Sequence, residues 1–520
     1  MTDQKHPTRR EFIETTAASG LALSAASSPL LAGPNTAGPN EKLNVALIGC
    51  GTQGLGKLKD WLRQPELQFI AVCDPNKESW DYPTWGEPQG QERGQHGGRE
   101  VARARIEQYY AQQRGKSKYR GCAAYADFRD LLEKENDLDA VFIMTPDHLH
   151  ATIAVAAMKQ GVRVATHKPI GNYMHETRVA CETARVTGVG THCLFFRDGP
   201  KTYTMKQLVN RGVIGQVKAI HRWSNRPVWP QGMPHLPKEQ PVPDNLDWQL
   251  WLGPSKPRPY AFEYTHTRFR SWYEFGGGIL ADMGYYGLWR DWRVLNLGIP
   301  VSAKADTSWN CEINHYKSFP VANEVSYPSA SKIHFRVPVQ DTSRTVDVFW
   351  YDGGMKPNPP QALIEQDEEL KGEGVMFVGE KGILYSSYNE YEDIRIMGLD
   401  NTFGPIPIEQ VDENELSQRG VDDPQAVLDS LKVPASYLAK SQNEMIDALK
   451  GVRRSRGSIE NARNIAETIC LGNLAVRMSQ PRVGSERLQW DTEQMRVTNV
   501  QEANKFLKRD ARKSWELEMP

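Results

Sequence analysis

The stretch Leu43-Asn44-Val45-Ala46-Leu47-Ile48-Gly49-Cys50-Gly51-Thr52-Gln53-Gly54 constrains this chain more than any other, because an apolar strand runs directly into G-x-G-x-x-G. Each glycine answers a separate need: Gly49 a tight turn, Gly51 close approach of the backbone to a pyrophosphate, and Gly54 close packing of the next helix on the strand. The helix start, with Thr52 and Gln53 in its first turn, offers unpaired N–H groups to the phosphates. A lone G-x-G-x-x-G is weak, so its surroundings decide. Leu55, Leu58, Trp61 and Leu62 follow at helical spacing, and Phe69-Ile70-Ala71-Val72-Cys73 reads as a second strand ending in Asp74. Asp74 lies twenty residues past Gly54, where a dinucleotide fold places the carboxylate that binds the adenosine ribose hydroxyls. The expected cofactor is NAD or NADP: Asp74 favours NAD, while Lys77 suits a 2′-phosphate.

Pro75 to Gly121 is polar and rich in Gly, Gln and Arg, and reads as an insertion on the rim with one helix near Ala102 to Gln112. Alternation then resumes with a helix from Phe128, a strand over Ala140 to Met144, a helix from Ala151 to Gln160 and a strand over Val162 to Thr166. Strands alternating with helices imply a doubly wound parallel sheet, whose ligands bind beyond the carboxyl ends of the strands. Two motifs stand at such ends, Thr145-Pro146-Asp147-His148-Leu149-His150 and His167-Lys168-Pro169. The His-x-His pair lacks a third ligand at suitable spacing, so hydrogen bonding at a helix start is expected there and no metal.

Past Ile170 helices over His175–Val186 and Lys201–Asn210 give way to strand-like runs at Val217–Trp223, Ser302–Trp309, Lys332–Val337, Arg344–Trp350 and Gly374–Val378. Several alternate with period two, so one sheet face is buried and the other is wet or used for association. The helical stretch Ala435–Ser479 is expected to return against the first domain, and Lys505, Lys508, Arg509, Arg512 and Lys513 read as a solvated helix face.

A chain of 520 residues exceeds one ordinary core, so two domains plus tails are expected. Its 63 basic and 64 acidic residues nearly cancel, which leaves no global field to attract nucleic acid or an anionic membrane. The seven cysteines are scattered without a C-x-x-C pair, which argues against a disulfide framework or zinc site. Thr8-Arg9-Arg10-Glu11-Phe12-Ile13 precedes an uncharged Ala/Ser-rich run and looks like a twin-arginine export signal. The expected division is a signal at 1–32, a linker at 33–42, a dinucleotide-binding domain at 43–170, a substrate and oligomerisation domain at 171–480 and a C-terminal extension at 481–520. Handling by the twin-arginine translocase and a periplasmic location follow, with no stable membrane span in the mature protein.

The glycine fingerprint, the Thr145-Pro146-Asp147-x-x-His150 loop and the Lys168-Pro169 dipeptide together resemble the Gfo/Idh/MocA oxidoreductases. The likeness extends through Leu246–Pro254, Trp350–Pro357 and Leu488–Asp491, and so spans essentially Leu43 to Leu517. It implies an N-terminal Rossmann domain with a doubly wound parallel sheet, followed by an α/β domain with a large, mostly antiparallel open sheet. That sheet commonly pairs subunits in the family, hence an expected homo-oligomer. The implied activity is oxidoreduction of a sugar, polyol or sugar derivative with NAD or NADP.

Hydride transfer requires a fixed nicotinamide, a substrate carbon held against it and a group that takes or gives the hydroxyl proton. Lys168 is the first candidate for that group, since burial and a neighbouring cation lower a lysine toward useful base strength. Gly276-Gly277-Gly278-Ile279-Leu280-Ala281-Asp282-Met283-Gly284-Tyr285-Tyr286 matches the family's D-x-G-x-H except at its last position, and His167 stands where the family usually has Glu. Asp282 and Tyr286, on one face if those turns are helical, join Lys168 as catalytic candidates. Expected cofactor contacts are Gly49, Gly51, Thr52, Gln53, Gly54, Asp74, Thr145, Pro146, His150 and Lys168. Arg268, Arg270, Trp272 and Asp282 are expected at the substrate, the aromatic face suiting a sugar and the arginines a carboxylate.

Export sharpens the mechanism, because no free nicotinamide pool exchanges outside the cytoplasm. A tightly held, internally recycled cofactor is expected. The alternatives are redox-assisted glycoside cleavage, in which transient oxidation permits elimination, and a non-catalytic sugar-binding protein on the same fold.

Overall fold

The computed structural model describes residues 42–84, 94–196, 198–388, 390–400, 402–438, 441–480 and 486–520, and the expected export signal lies outside them. The first strand, β1 (Leu43–Ile48), is apolar at nearly every position because it is covered on both faces, with Val45, Ala46 and Leu47 fully buried. It is followed by β2 (Leu67–Cys73), a hairpin of β3 (Ser79–Tyr82) and β4 (Gln95–Gly97), then β5 (Ala123–Tyr125), β6 (Ala140–Ile143), β7 (Arg163–Thr166) and β8 (Thr191–Cys193). Six of these form a parallel sheet in the order β5-β2-β1-β6-β7-β8. Strand order reverses between β1 and β6, and the crevice above that switch point is where a doubly wound sheet binds its ligand.

The polar segment after Asp74 contains the expected helix, Arg99–Gln113. It also forms the β3–β4 hairpin, which its composition concealed: the hairpin buries Tyr82 but carries an exposed Trp80 and Asp81 between.

The second half of the chain contributes β9 (Val217–Trp223), β10 (Ser302–Thr307), β11 (Asn310–Asn314), β12 (Lys317–Val321), β13 (Ser331–Pro338), β14 (Thr345–Tyr351), β15 (Gly374–Gly379), β16 (Ile383–Ser387), β17 (Arg395–Met397), β18 (Ile406–Pro407), β19 (Leu488–Asp491) and β20 (Arg496–Val497). Ten of them form one open sheet, β18-β17-β16-β15-β9-β14-β13-β10-β19-β20, in which only β9 and β14 run parallel among the described pairings. Period-two patterning places Ile333, Phe335 and Val337 of β13 with Val346, Val348 and Trp350 of β14 on the buried face. The helix Arg463–Met478 packs there, within one apolar core that includes Leu288 of the helix Tyr285–Leu295.

One ion pair interrupts that core. Arg222 of β9 donates to both oxygens of Asp291 at 2.6 and 2.7 Å, and Tyr391 Oη donates to the same carboxylate at 2.6 Å. Both charges are fully buried, so this geometry is what offsets their desolvation.

Two expectations are corrected here. Ala435–Ser479 is not one helical unit but three helices, Ala435–Leu438, Ser441–Leu449 and Arg463–Met478, and it is the middle one that brings Met445, Ile446 and Leu449 into the core of the parallel sheet. The C-terminal basic residues do not share a solvated helix face. Short 3₁₀ turns run over Gln501–Phe506 and Lys513–Trp515; Arg509 is buried and ion-paired with Glu176, and Arg512 Nε donates to Gly253 O at 2.7 Å. All seven cysteines are free thiols, and only Cys311 is exposed. Among the described residues no helix is long and apolar enough to cross a membrane.

Candidate functional site

The glycine loop closes the crevice between β1 and β6. Gly49 has φ 96°, and a Cβ there would stand 2.5 Å from the Met144 carbonyl carbon and 2.6 Å from Thr145 N, so only glycine fits beside the β6 loop. Gly51 has a different neighbour: its Cβ would stand 2.9 Å from Cε1 of Tyr82, a ring supplied by the inserted hairpin. Tyr82 is buried, and its Oη accepts from Asn76 Nδ2 at 3.1 Å. The helix Thr52–Trp61 begins at Gly51 without a side-chain cap, leaving first-turn N–H groups of the kind that bind phosphate.

Asp74 follows β2 directly. Its Oδ2 accepts from Cys50 N at 2.7 Å and its Oδ1 from Asn76 N at 2.8 Å, yet burial outweighs these bonds and raises the carboxyl to about 6. On the other side of the switch point Thr145 Oγ1 is buried without a hydrogen-bond partner. An uncapped helix start, a carboxylate after β2 and an unsatisfied hydroxyl after β6, all lining one cleft, fit a dinucleotide laid across the crevice.

The chemical end of the cleft is built from charges. Lys168 follows β7, is 3% exposed, and forms an ion pair with Asp282 Oδ1, which also accepts from Arg270 Nε at 3.0 Å. Asp282 reaches that position from a π-helical turn, Leu280–Gly284, that leads into the helix Tyr285–Leu295, a widened turn often found at functional sites. Burial alone would raise the Asp282 carboxyl, but Lys168 and Arg270 more than offset it and hold it at about 2. Burial, with help from Arg270, lowers the Lys168 ammonium below its ordinary value against the pull of Asp282. A second carboxyl, Asp147, accepts from Gly277 N at 3.2 Å and is raised by burial to about 6 despite the same two cations.

Beside this cluster the Tyr286 hydroxyl lies 3.2 Å from Nε2 of His167. The Lys168 ammonium stands 5.5 Å from the centre of the Tyr286 ring. Burial, followed by the Lys168 charge, drives the His167 imidazole well below its ordinary value, so the ring is neutral.

The tertiary structure thus brings Gly49, Gly51, Thr52, Gln53, Asp74, Thr145, Pro146, Lys168 and Arg270 to one cleft, with Asp282 attached through Lys168 and Tyr286 through His167. Gly54 lies behind the loop, where a Cβ would meet Gly49 O at 2.2 Å. Three more of the expected residues lie outside the lining of this cleft. His150 is buried with its ring nitrogens 2.6 Å from Pro169 O and 2.9 Å from Thr145 O, so it ties the two strand-end loops together. Trp272 is 2% exposed, donates to Glu263 O at 2.8 Å and packs 5.2 Å from Tyr264 in a separate apolar cluster. Arg268 stacks 4.4 Å from the Phe262 ring and does not line the cleft.

Three residues of the site carried no assigned role from sequence. Asp147 lies within the Thr145–His150 motif, His167 is a departure from the family pattern, and Tyr82 lies in a polar insertion that offers no local signal.

Two family models match the chain. One, described as oxidoreductase family, NAD-binding Rossmann fold, covers residues 90–193. The other, described as oxidoreductase family, C-terminal alpha/beta domain, covers residues 200–295. The chain is 31% identical over 117 residues to an uncharacterized oxidoreductase of Streptococcus pneumoniae, covering 22% of this chain and 31% of that protein. It is 26% identical over 204 residues to a glycosyl hydrolase family 109 protein of Solibacter usitatus, covering 38% and 40%. Against levoglucosan dehydrogenase of Pseudarthrobacter phenanthrenivorans the identity is 27% over 108 residues, covering 20% and 27%. The chain therefore spans less than half the length of these relatives. An aldose-aldose oxidoreductase structure from Caulobacter crescentus superposes with a TM-score of 0.49 at 14% identity, covering 86% of this chain and 100% of that one.

Proposed function

We propose that this chain, matched over residues 90–193 and 200–295 by the two oxidoreductase-family models, is a Gfo/Idh/MocA-type NAD(P)-dependent oxidoreductase acting on a sugar, polyol or sugar derivative. The observation that carries this reading is the buried Lys168–Asp282–Arg270 cluster at the end of a cleft whose other end holds the glycine loop and Asp74. When bound, the dinucleotide supplies hydride acceptance and donation. Asp282, held ionised, accepts a hydrogen bond from a substrate hydroxyl, and Lys168 donates to the oxygen from which the proton departs. Closely spaced donors and acceptors in a buried site suit a polyhydroxylated substrate, whose several hydroxyls must all be satisfied once desolvated. Asp74 favours NAD, because its carboxylate accepts from two ribose hydroxyls and repels a 2′-phosphate.

We read the enzyme as exported through the twin-arginine translocase to the periplasm, on Thr8-Arg9-Arg10-Glu11-Phe12-Ile13. There the cofactor stays bound and is regenerated in place. Replacing Arg9 and Arg10 with lysine tests the route, and retention of the double variant in the cytoplasm is the expected result. A homo-oligomer is proposed through the outer face of the large sheet, where His221 and His334 stack on Phe349 at 4.7 and 4.3 Å. Sedimentation of the purified protein tests it.

A second reading is favoured by the glycosyl hydrolase family 109 relatives: redox-neutral glycoside cleavage, in which oxidation acidifies a neighbouring C–H and elimination follows. One experiment addresses both. The purified protein is denatured and released NAD(H) or NADP(H) is measured by absorbance and mass, then the native protein is incubated with candidate sugars and glycosides while the reduced-cofactor signal is followed. Bound cofactor that responds to a sugar in the wild type and not in Lys168→Ala supports the proposal. Product analysis separates net oxidation from cleavage. Protein that carries no dinucleotide and binds neither NAD nor NADP overturns both and leaves a non-catalytic sugar-binding role.

A further inference from the structure

We propose that His167 is the proton partner of Tyr286: its Nε2 accepts the Tyr286 hydroxyl hydrogen bond, and as Tyr286 Oη takes a proton from the substrate hydroxyl, His167 takes the one Tyr286 held. The inference rests on the oxidoreductase reading above and assigns a residue that reading leaves without a role.

Lys168 is not placed to take the substrate proton. Its Nζ is paired with Asp282 Oδ1, whose charge pulls the lysine back toward the ammonium against burial and Arg270, and an ammonium can donate a hydrogen bond but has no lone pair with which to take a proton. A hydroxyl proton leaving the substrate therefore needs another destination. Tyr286 Oη at 3.2 Å from His167 Nε2 provides one, with the Lys168 ammonium 5.5 Å from the phenol ring to favour negative charge on it. Asp282 and Tyr286 are four residues apart across the π-turn and helix junction, and they meet two consecutive residues, Lys168 and His167, at the end of β7. Both positions at which this sequence departs from the family pattern thus fall on a single contact.

The surroundings of the imidazole keep it neutral. Phe195 faces the ring edge-on at 6.4 Å and offers no polar partner. The charged and titratable groups around it are Lys168, Arg270, His150 and Asp282, of which the cations and burial keep it neutral. A neutral imidazole has one accepting and one donating nitrogen. With Nε2 accepting from Tyr286, Nδ1 carries the proton. The relay balances without electron transfer and without charging the ring: the substrate O–H breaks as a new Oη–H forms, the original Oη–H breaks as Nε2–H forms, and Nδ1 gives up its proton to the cleft that His167 lines as Nε2 gains one, so the imidazole passes from one neutral tautomer to the other. His167 is in this sense a positioning and relay residue, and Tyr286 is the group that meets the substrate.

The test reads the imidazole directly. In full-length protein labelled with ¹⁵N-histidine, His167→Gln, or His167→Asn where Gln does not fold, assigns one of the twelve histidine rings by its loss. The expected spectrum at neutral pH is a neutral ring protonated at Nδ1, with an Nε2 shift that moves toward the non-bonded value in Tyr286→Phe. A ring protonated at Nε2, a charged ring, or an Nε2 shift unchanged by Tyr286→Phe overturns the proposal. These outcomes do not depend on bound cofactor or on an identified substrate, so failure of the pair is distinguishable from failure of the oxidoreductase reading, which the released-cofactor measurement detects.

Discussion

The ring of Tyr82 lies against Gly51, close enough that a Cβ at position 51 would stand 2.9 Å from Cε1. A residue from an inserted hairpin therefore shares with any pyrophosphate the demand for glycine in the loop. Gly51→Ala is expected to destabilise the protein by about 1–3 kcal/mol through overpacking. In a Tyr82→Ala background the same change is expected to cost little, giving a coupling energy of about 0.5–3 kcal/mol in urea unfolding. Equal costs in both backgrounds would show that Tyr82 is not what constrains the loop.

Asp282 raises the Lys168 ammonium against burial and Arg270, so removing its charge must lower that group further. Asp282→Asn is expected to move the basic limb of the pH–rate profile to lower pH. It is also expected to reduce kcat by at least about 10²-fold, the scale of a lost acid–base arrangement. A profile that keeps its limbs would separate Asp282 from the titration of Lys168.

Asp74 links stability to pH with a definite sign. The carboxyl is raised by burial from 3.8 to about 6, so between those values the folded protein holds a proton that the unfolded chain has released. Stability of the cofactor-free protein should fall as pH rises through that window, by on the order of 3 kcal/mol for this group. Asp147 is raised to about 6 and adds a similar slope. Asp352, raised by burial to about 7, adds a further slope of the same sign, so Asp74→Asn is expected to remove only its own share, on the order of 3 kcal/mol, of the pH dependence of urea unfolding between pH 4 and 7, and an unchanged slope would contradict the assignment.

Arg222 and Asp291 are both inaccessible to solvent, and neither has water to fall back on. Asp291→Ala is expected to cost about 3–5 kcal/mol in urea unfolding by leaving an unpaired buried guanidinium. An Arg222→Met/Asp291→Leu double variant should recover most of that loss.

The parallel sheet was readable because its signals are local. An unbroken apolar run at Leu43–Ile48, helical spacing after Gly54 and an acid after Cys73 each act over a few residues of chain. The period-two strands of the second half were readable for the same reason. The hairpin at β3 and β4 escaped because short, polar strands lack periodicity, and where the side chains before Gly276 point is not a property of local sequence. Trp272 and Arg268 sit near the right glycines in sequence, yet a 3₁₀ segment, His266–Ser271, turns the first into an apolar cluster and the second onto Phe262. Only Arg270 of that run reaches Asp282.

The sequence by itself determined the βαβ unit, the glycine loop and the strand-end positions of Thr145 and Lys168, since glycine spacing and hydrophobic period are properties of neighbouring residues. Only the tertiary structure decided that Lys168 and Asp282, 114 residues apart, share one buried ion pair, and that His167 and Tyr286, 119 apart, share one hydrogen bond. Those pairings depend on how a π-turn in one sheet-packed helix meets the end of a strand in another sheet. Their protonation follows from the burial that this meeting creates, and burial is a property no single stretch of chain possesses.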